Sequence, residues 1–116
     1  MPNISLEQGL QQIYDALVAG IPVTTDSATT ATLANVSSSA TNVTLLAANT
    51  ARKGAYFYND STQILYLKLG ATATTSSYTV EMGPEDFYEL PNPIYVGIID
   101  GIWASANGAL RVTEIT

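Results

Sequence analysis

Apolar residues at the start of the chain recur three or four positions apart, which is the spacing of one face of an amphipathic helix over residues 5–19. Ser5 and Gln8 have the spacing of a capping box, and Gly20 with Pro22 is typical of a helix end. The apolar face of this predicted helix consists of Leu6, Leu10, Ile13, Tyr14, Leu17 and Val18. Isolated helices of about 12–15 residues are marginal in water. We therefore expect this face to pack on the chain's own β domain or on a neighbour, or to associate with copies of itself in a helix bundle.

The segment from residue 21 to residue 41 has no core-forming period. It consists mainly of Thr, Ser and Ala, and its one charge is Asp26. We predict an extended arm whose isolated apolar residues, Val23, Leu33 and Val36, dock on another surface. The same composition is compatible with disorder.

From residue 42 onward, short runs of alternating apolar and polar residues are separated by Gly, Pro, Asn and Asp. This pattern predicts strands near 42–46, 55–59, 64–69, 77–82, 86–90, 94–99, 101–104 and 109–115. Short strands at this spacing indicate a small antiparallel β-sandwich or jelly-roll-like barrel. In the third run, Leu65, Leu67 and Leu69 share one face and are expected in the core. The predicted fold is mainly β, with a helix at 1–20, an arm at 21–41 and a β-sandwich domain at 42–116.

Two connections between these runs have the length and composition of hairpin turns. The four residues 60–63 separate 55–59 from 64–69, and Asn107-Gly108 has the composition of a type I′ turn. We therefore predict a hairpin at each place. In the first one, Tyr56 and Tyr58 lie opposite Phe57. One of these two faces should point outward or meet a neighbour.

Charge and composition exclude several classes of protein. The chain has four Lys and Arg against ten Asp and Glu, a net charge of −6, and no Cys or His. Direct binding of nucleic acid would need clustered positive charge. Without His or Cys, the serines have no activating base, and thiolate chemistry is excluded. No acidic spacing matches a calcium loop. We expect no enzyme activity, cofactor or metal site, and we interpret the carboxylates Asp60, Glu81, Glu85, Asp86, Glu89 and Asp100 as solvated turn residues.

No run approaches the roughly 20 apolar residues of a membrane span. The first apolar residues are interrupted by polar ones such as Glu7 and Asp15, unlike the core of a signal peptide. We therefore expect no membrane association, and synthesis in the cytoplasm without export. The positive charges are Arg52, Lys53, Lys68 and Arg111, and one or two of them could pair with carboxylates on an adjacent subunit.

The aromatic residues are open to two interpretations. Trp103 and the tyrosines could form a platform on which sugars stack, because an aromatic ring offers an apolar face with a polar edge. In a small β-sandwich such residues are more often core or subunit contacts, and we favour that interpretation.

The β region carries a series of short motifs. They are LLAAN at 45–49, RKG at 52–54, YNDS at 58–61, LYLKLG at 65–70, FYELP at 87–91, GIW at 101–103, NG at 107–108 and VTE at 112–114. This series resembles a group of small virion proteins of tailed bacteriophages and prophages. The resemblance covers the β region but not the helix or the arm, which we expect to be the attachment region.

The resemblance implies a virion structural protein, for which we favour a head decoration or cement protein at the capsid surface. Such a protein would be made in the host cytoplasm and would bridge major capsid subunits. A tail, neck or fibre protein that contacts host glycans through an aromatic face is the alternative. The small core and the apolar helix face suggest a homo-oligomer, and we favour a trimer. The predicted oligomer and attachment contacts are Leu6, Leu10, Ile13, Tyr14, Leu17, Val23, Leu33, Val36, Tyr56 and Tyr58.

Overall fold

A helix and eight strands are found in the computed structural model of the chain, which describes residues 6–20 and 26–116. The elements are α1 (Leu6–Gly20), β1 (Ala31–Ser37), β2 (Val43–Leu46), β3 (Gly54–Asp60), β4 (Leu65–Leu69), β5 (Val80–Met82), β6 (Phe87–Glu89), β7 (Ile99–Trp103) and β8 (Ala109–Ile115). The helix lies within one residue of its predicted bounds. The fold is mainly β, as predicted.

The strands form two four-stranded antiparallel sheets, with order β1-β8-β3-β6 in sheet A and β2-β7-β4-β5 in sheet B. The pairs β4–β5, β3–β6, β2–β7 and β1–β8 are nested in the sequence. The chain therefore resembles one long hairpin that is folded over so that its strands alternate between two sheets. This is the strand order of a jelly roll. The sheets stay open at their edges and do not close into a barrel.

The core lies between the two sheets and is filled by alternate residues of the central strands. In β3, Phe57 is fully buried while Tyr56 and Tyr58 are exposed, as the strand period requires. Leu65 and Leu67 of β4 are also fully buried, whereas Leu69 is half-buried at the end of the strand. The prediction of an inward leucine face is confirmed for the first two of these residues.

Neither predicted hairpin exists. Strands β3 and β4 lie in different sheets, and so do β7 and β8, so residues 61–64 and 104–108 each cross from one sheet to the other. A short polar loop fits a sheet crossing as well as it fits a hairpin. Gly108 has a positive φ of 77°, and a Cβ there would collide with the carbonyl oxygen of Asp60. The glycine is thus required because the two crossings pack against each other.

Strand β1 occupies residues 31–37, which we had predicted to be part of the arm. It pairs along its whole length with β8. Its residues are nearly all exposed because it is an edge strand, so the sequence has no strong apolar alternation there. The predicted start of the β domain at residue 42 is therefore too late. The predicted strand at 94–99 is also wrong, since an irregular segment precedes β7.

The helix presents its apolar side chains to solvent. Leu10, Ile13, Tyr14 and Leu17 are 58–62% exposed, so they do not pack on the chain's own sandwich in this structure. The side chain of Leu6 and the whole of Val23 lie outside the described residues. Packing of the helix against copies of itself stays a prediction. No helix in the described part of the chain is long and apolar enough to cross a membrane.

Candidate interaction surface

The outer face of sheet A carries an exposed apolar patch, which we call the aromatic face and define as Leu33, Tyr56, Tyr58 and Phe87. The strand register brings these residues together from distant parts of the sequence. Leu33 lies opposite Thr113, which lies opposite Tyr56 on the other side. In the next row, Tyr58 lies between Arg111 and Phe87. Side chains at paired positions point to the same side of a sheet. The patch therefore extends from one edge strand to the other.

The aromatic face is available for contact. Leu33 is 75% exposed and Phe87 is 61% exposed, while Tyr56 and Tyr58 are each a little over one third exposed. The rings of Tyr56 and Phe87 stack with centroids 6.0 Å apart and an interplanar angle of 19°. This stack orders the two rings without hiding them. Exposed apolar side chains that cluster on one face of a sheet are typical of interaction sites.

An ion pair lies beside Tyr58 on β8 and β3. Nη2 of Arg111 lies 2.8 Å from Oδ2 of Asp60, and both side chains are about half exposed. On the other side of β3, Glu89 is paired in register with Tyr56. The outer face of sheet A thus combines exposed apolar side chains with charged ones, and both kinds of group occur in protein–protein interfaces.

The structure brings together some of the predicted contact residues and separates others. Leu33, Tyr56 and Tyr58 belong to one surface. Val36 does not, because it is paired with Leu110 on the inner side of sheet A and packs half-buried against the core. Its prediction as a docking residue is wrong. Phe87 was not predicted to lie on this surface. Its neighbour Tyr88 packs against the core, and the strand alternation therefore places Phe87 on the outer side.

Trp103 is 1% exposed and cannot form part of a sugar-stacking platform. Its Nε1 donates a hydrogen bond of 3.2 Å to Oδ1 of Asn59. Asn59 is itself fully buried, and its Nδ2 donates to the carbonyls of Gln63, Met82 and Gly83 at 2.8–3.0 Å. We call these residues the Asn59 cluster. They hold the β3–β4 crossing against β5 and β7, and so they position Tyr58 on the outside.

Arg52 is also buried, and its side chain has no exposed surface. Its Nε lies 2.8 Å from Oε2 of Glu114, and its guanidinium also donates to the carbonyls of Ala47, Tyr95 and Gly97. We call this group the Arg52 clamp, because it ties two irregular segments to β8. Arg52 is therefore engaged within its own chain, and pairing of a cation with an adjacent subunit stays a prediction for the others.

Two more cations are engaged within the chain. Lys53 pairs with Asp26 at 3.6 Å, and Arg111 pairs with Asp60 as described above. Asp100, which we interpreted as a solvated turn residue, is 3% exposed. Its Oδ2 accepts hydrogen bonds from Nδ2 of Asn42 and the backbone N–H of Thr72. Asp100 therefore helps to hold the β4–β5 loop on sheet B.

Within residues 6–20 and 26–116, no ligand-sized cavity and no cluster of metal-binding side chains is present. Comparisons with protein-family models, curated protein sequences and solved structures found no match to this chain. The candidate site is thus a surface, and its assignment depends on its geometry.

Proposed function

We propose that this protein is a structural component of a bacteriophage virion, and that it acts as a head decoration or cement protein without enzymatic activity. The observation that carries the proposal is the presence of two uncovered apolar surfaces on one small chain. These are the aromatic face of sheet A and the helix side formed by Leu10, Ile13, Tyr14 and Leu17, which are 58–62% exposed. A small protein that exposes such surfaces gains stability when partners cover them.

The motifs that resemble those of phage virion proteins support the proposal because several of their residues hold this fold together. Arg52 and Glu114 of the RKG and VTE motifs form the Arg52 clamp, and Asn59 and Trp103 of the YNDS and GIW motifs form the Asn59 cluster. The resemblance therefore concerns residues that determine this fold. Function depends on the surfaces that the fold displays.

In the proposed mechanism, copies of the protein associate with one another and also contact major capsid subunits. Burial of a large aromatic side chain is worth about 1.5–3 kcal/mol relative to leaving it exposed. A contact that removes Phe87 and Leu33 from water therefore raises the free energy needed to separate the joined subunits. The homo-oligomer and its trimeric form belong to this proposal.

Localisation in the virion tests the proposal. We expect density for the protein on the head shell in electron microscopy of purified particles, and a copy number that scales with the major capsid protein. Removal of the helix and the substitution Phe87→Ser should each lower incorporation and reduce the resistance of heads to heat. Copies confined to the tail, or absence from particles, would contradict a decoration role.

A tail or fibre protein that contacts glycans is the second candidate, and the exposed Tyr56–Phe87 stack is the observation that favours it. Glycan-array binding that is lost in Tyr56→Ala would support this candidate. Trp103→Ala is not a suitable test, because Trp103 is buried and its loss would disturb the Asn59 cluster.

A further inference from the structure

Strand β1 leaves alternate backbone groups along its free edge without a partner. Thr30 and Thr116 exchange backbone hydrogen bonds of 3.3 and 2.9 Å, and the N–H of Ser38 donates to the carbonyl of Gly108 at 3.1 Å. In the uninterrupted register between these two points, the even-numbered residues of β1 bond to β8. The N–H and C=O groups of Ala31, Leu33, Asn35 and Ser37 therefore point away from β8. Among the described residues they have no hydrogen-bond partner.

The other three sheet edges carry features that discourage strand addition. Strand β2 has a register shift between Thr44 and Leu46. Strands β5 and β6 each span only three residues and contain Glu81 and Glu89 respectively. Short, bulged or charged edges resist pairing with another chain. Strand β1 is seven residues long and has no charge, no proline and no register shift.

Charge is also distributed unequally between the edges. Near β1, the cations Arg52, Lys53 and Arg111 are each matched by a carboxylate in an ion pair. At the opposite side of the sandwich, no ion pair among the described residues compensates the carboxylates of Glu81, Glu85, Asp86 and Glu89. Two copies of a chain with net charge −6 repel each other least where their charges are already balanced. The β1 edge is such a place.

We propose that β1 pairs antiparallel with β1 of a second copy around a two-fold axis at Ala34. In this register Ala31 lies opposite the partner's Ser37, and Leu33 lies opposite the partner's Asn35. The four outward residues of each chain then form hydrogen-bonded pairs, with about eight interchain bonds. Ala34 meets its own copy at the narrow pair on the axis, where a small side chain fits. The two A sheets become one continuous sheet, which also joins the two aromatic faces through Leu33.

This inference rests on the proposed homo-oligomer and names a contact for it. A two-fold contact gives an even-numbered assembly, so the pairing replaces the favoured trimer. Amide hydrogen exchange of the full chain, followed by NMR at low and high protein concentration, tests it residue by residue. At high concentration we expect exchange at Leu33, Asn35 and Ser37 to slow by at least about tenfold. Exchange at Thr32, Ala34 and Val36 should not change, since these amides bond to β8 in both states. Light scattering should show a dimer or an even-numbered assembly.

Substitutions that act only on the free edge sharpen the test. Asn35→Pro removes an outward N–H and no bond to β8, so the variant should fold but stay monomeric at concentrations where the parent chain pairs. Leu33→Lys should weaken pairing by placing like charges beside the two-fold axis. Thr113→Lys is the matched control, because it adds the same charge to the same face on a central strand.

The proposal is overturned if the parent chain is monomeric at every concentration, or if the Asn35→Pro variant associates as strongly as the parent. A trimer whose Leu33 and Asn35 amides exchange freely would also overturn it. Virion incorporation is a separate readout. A monomer found on the head shell would contradict only the β1 pairing. A β1 dimer that is absent from particles would contradict only the proposed function.

Discussion

Neighbouring residues of strand β3 lie in opposite environments, one in the core and one on the surface. Asn59 is fully buried and bonds to three carbonyls, Ser61 and Trp103, whereas Tyr58, one position earlier, lies on the exposed aromatic face. Strand β8 repeats this contrast, with Glu114 held by the Arg52 clamp and Arg111 exposed beside Tyr58. The recognisable motifs supply the buried clusters, which specify the fold. The aromatic face, our candidate interaction surface, combines two residues of those motifs, Tyr58 and Phe87, with two residues outside them, Leu33 and Tyr56. Substitutions in the two regions should therefore differ in kind: the buried ones should lower stability, and the exposed ones should lower association.

The largest expected loss of stability is that of Arg52→Met. This change leaves Glu114 and the carbonyls of Ala47, Tyr95 and Gly97 without their donor. Breaking a buried ion pair by removing one partner costs about 3–5 kcal/mol. Urea unfolding measures the loss. The control is Lys53→Met at the next residue, whose ion pair with Asp26 is exposed and should contribute about 1 kcal/mol or less. Equal losses for the two variants would show that the clamp is not a stabilising unit.

Asn59→Ala should have the second-largest effect, a loss of about 2–4 kcal/mol, because several buried polar groups lose their partner. The indole N–H of Trp103 is among them, so the near-ultraviolet circular dichroism of the tryptophan should change as well. Asn35→Ala on the exposed edge is the control and should change the free energy of unfolding by less than about 0.5 kcal/mol. A small loss for Asn59→Ala would mean that water replaces the amide in the Asn59 cluster.

Phe87→Ser should lower the free energy of unfolding by only about 1 kcal/mol, since it removes one exposed ring and its stack on Tyr56. It should strongly reduce association with the partner that covers the aromatic face. Tyr66→Ser on the outer face of sheet B is the matched control. Tyr66 is half-buried, and Tyr78 packs on it at a centroid distance of 4.9 Å. We expect this control to lose stability and to keep association, and the reverse pattern would contradict the assignment of the two faces.

The smallest expected effect concerns Tyr88, which lies on the inner side of β6. Burial raises the pKa of its phenol above the ordinary value of 10.0, because the charged form would lose hydration. Because the pKa of Tyr88 is higher in the folded state, its contribution to the free energy of unfolding is complete below pH 10.0. This contribution is lost as the pH rises through the pKa of the folded state. The parent chain should therefore lose more stability than Tyr88→Phe between about pH 8 and about pH 11, as measured by urea unfolding. Identical pH profiles of the parent chain and Tyr88→Phe would contradict the assignment of the alkaline loss of stability to Tyr88.

Much of the fold could be predicted from local patterns. The alternation in 65–69 correctly placed Leu65 and Leu67 inside. The alternation in 55–59 separated Tyr56 and Tyr58 from Phe57, and the structure shows that the Phe57 face is the buried one. The connections could not be predicted in the same way. A short polar loop such as 61–64 can join neighbouring strands or cross between sheets, and the choice depends on where Asn59 finds its distant hydrogen-bond partners.

The candidate site was only partly predictable for a related reason. Tyr56 and Tyr58 could be identified as one face of a strand, and Leu33 as an apolar residue in a polar segment. The structure places these three residues on one face with Phe87 through the pairing of β1, β8, β3 and β6. This pairing joins residues that are far apart in the chain. Edge strand β1 was not predicted, because a strand that buries almost no side chains shows no alternation of apolar and polar residues.

The sequence alone determined the helix, the approximate positions of β3, β4 and β8, the burial of Leu65 and Leu67, and the lack of Cys and His. These properties follow from local periodicity and from side-chain type. Only the tertiary structure decided that residues 31–37 complete sheet A, that Arg52 and Trp103 are internal, and that the aromatic face and the free β1 edge adjoin. These properties depend on long-range pairing, in which each strand's surroundings are set by strands that are remote in the sequence.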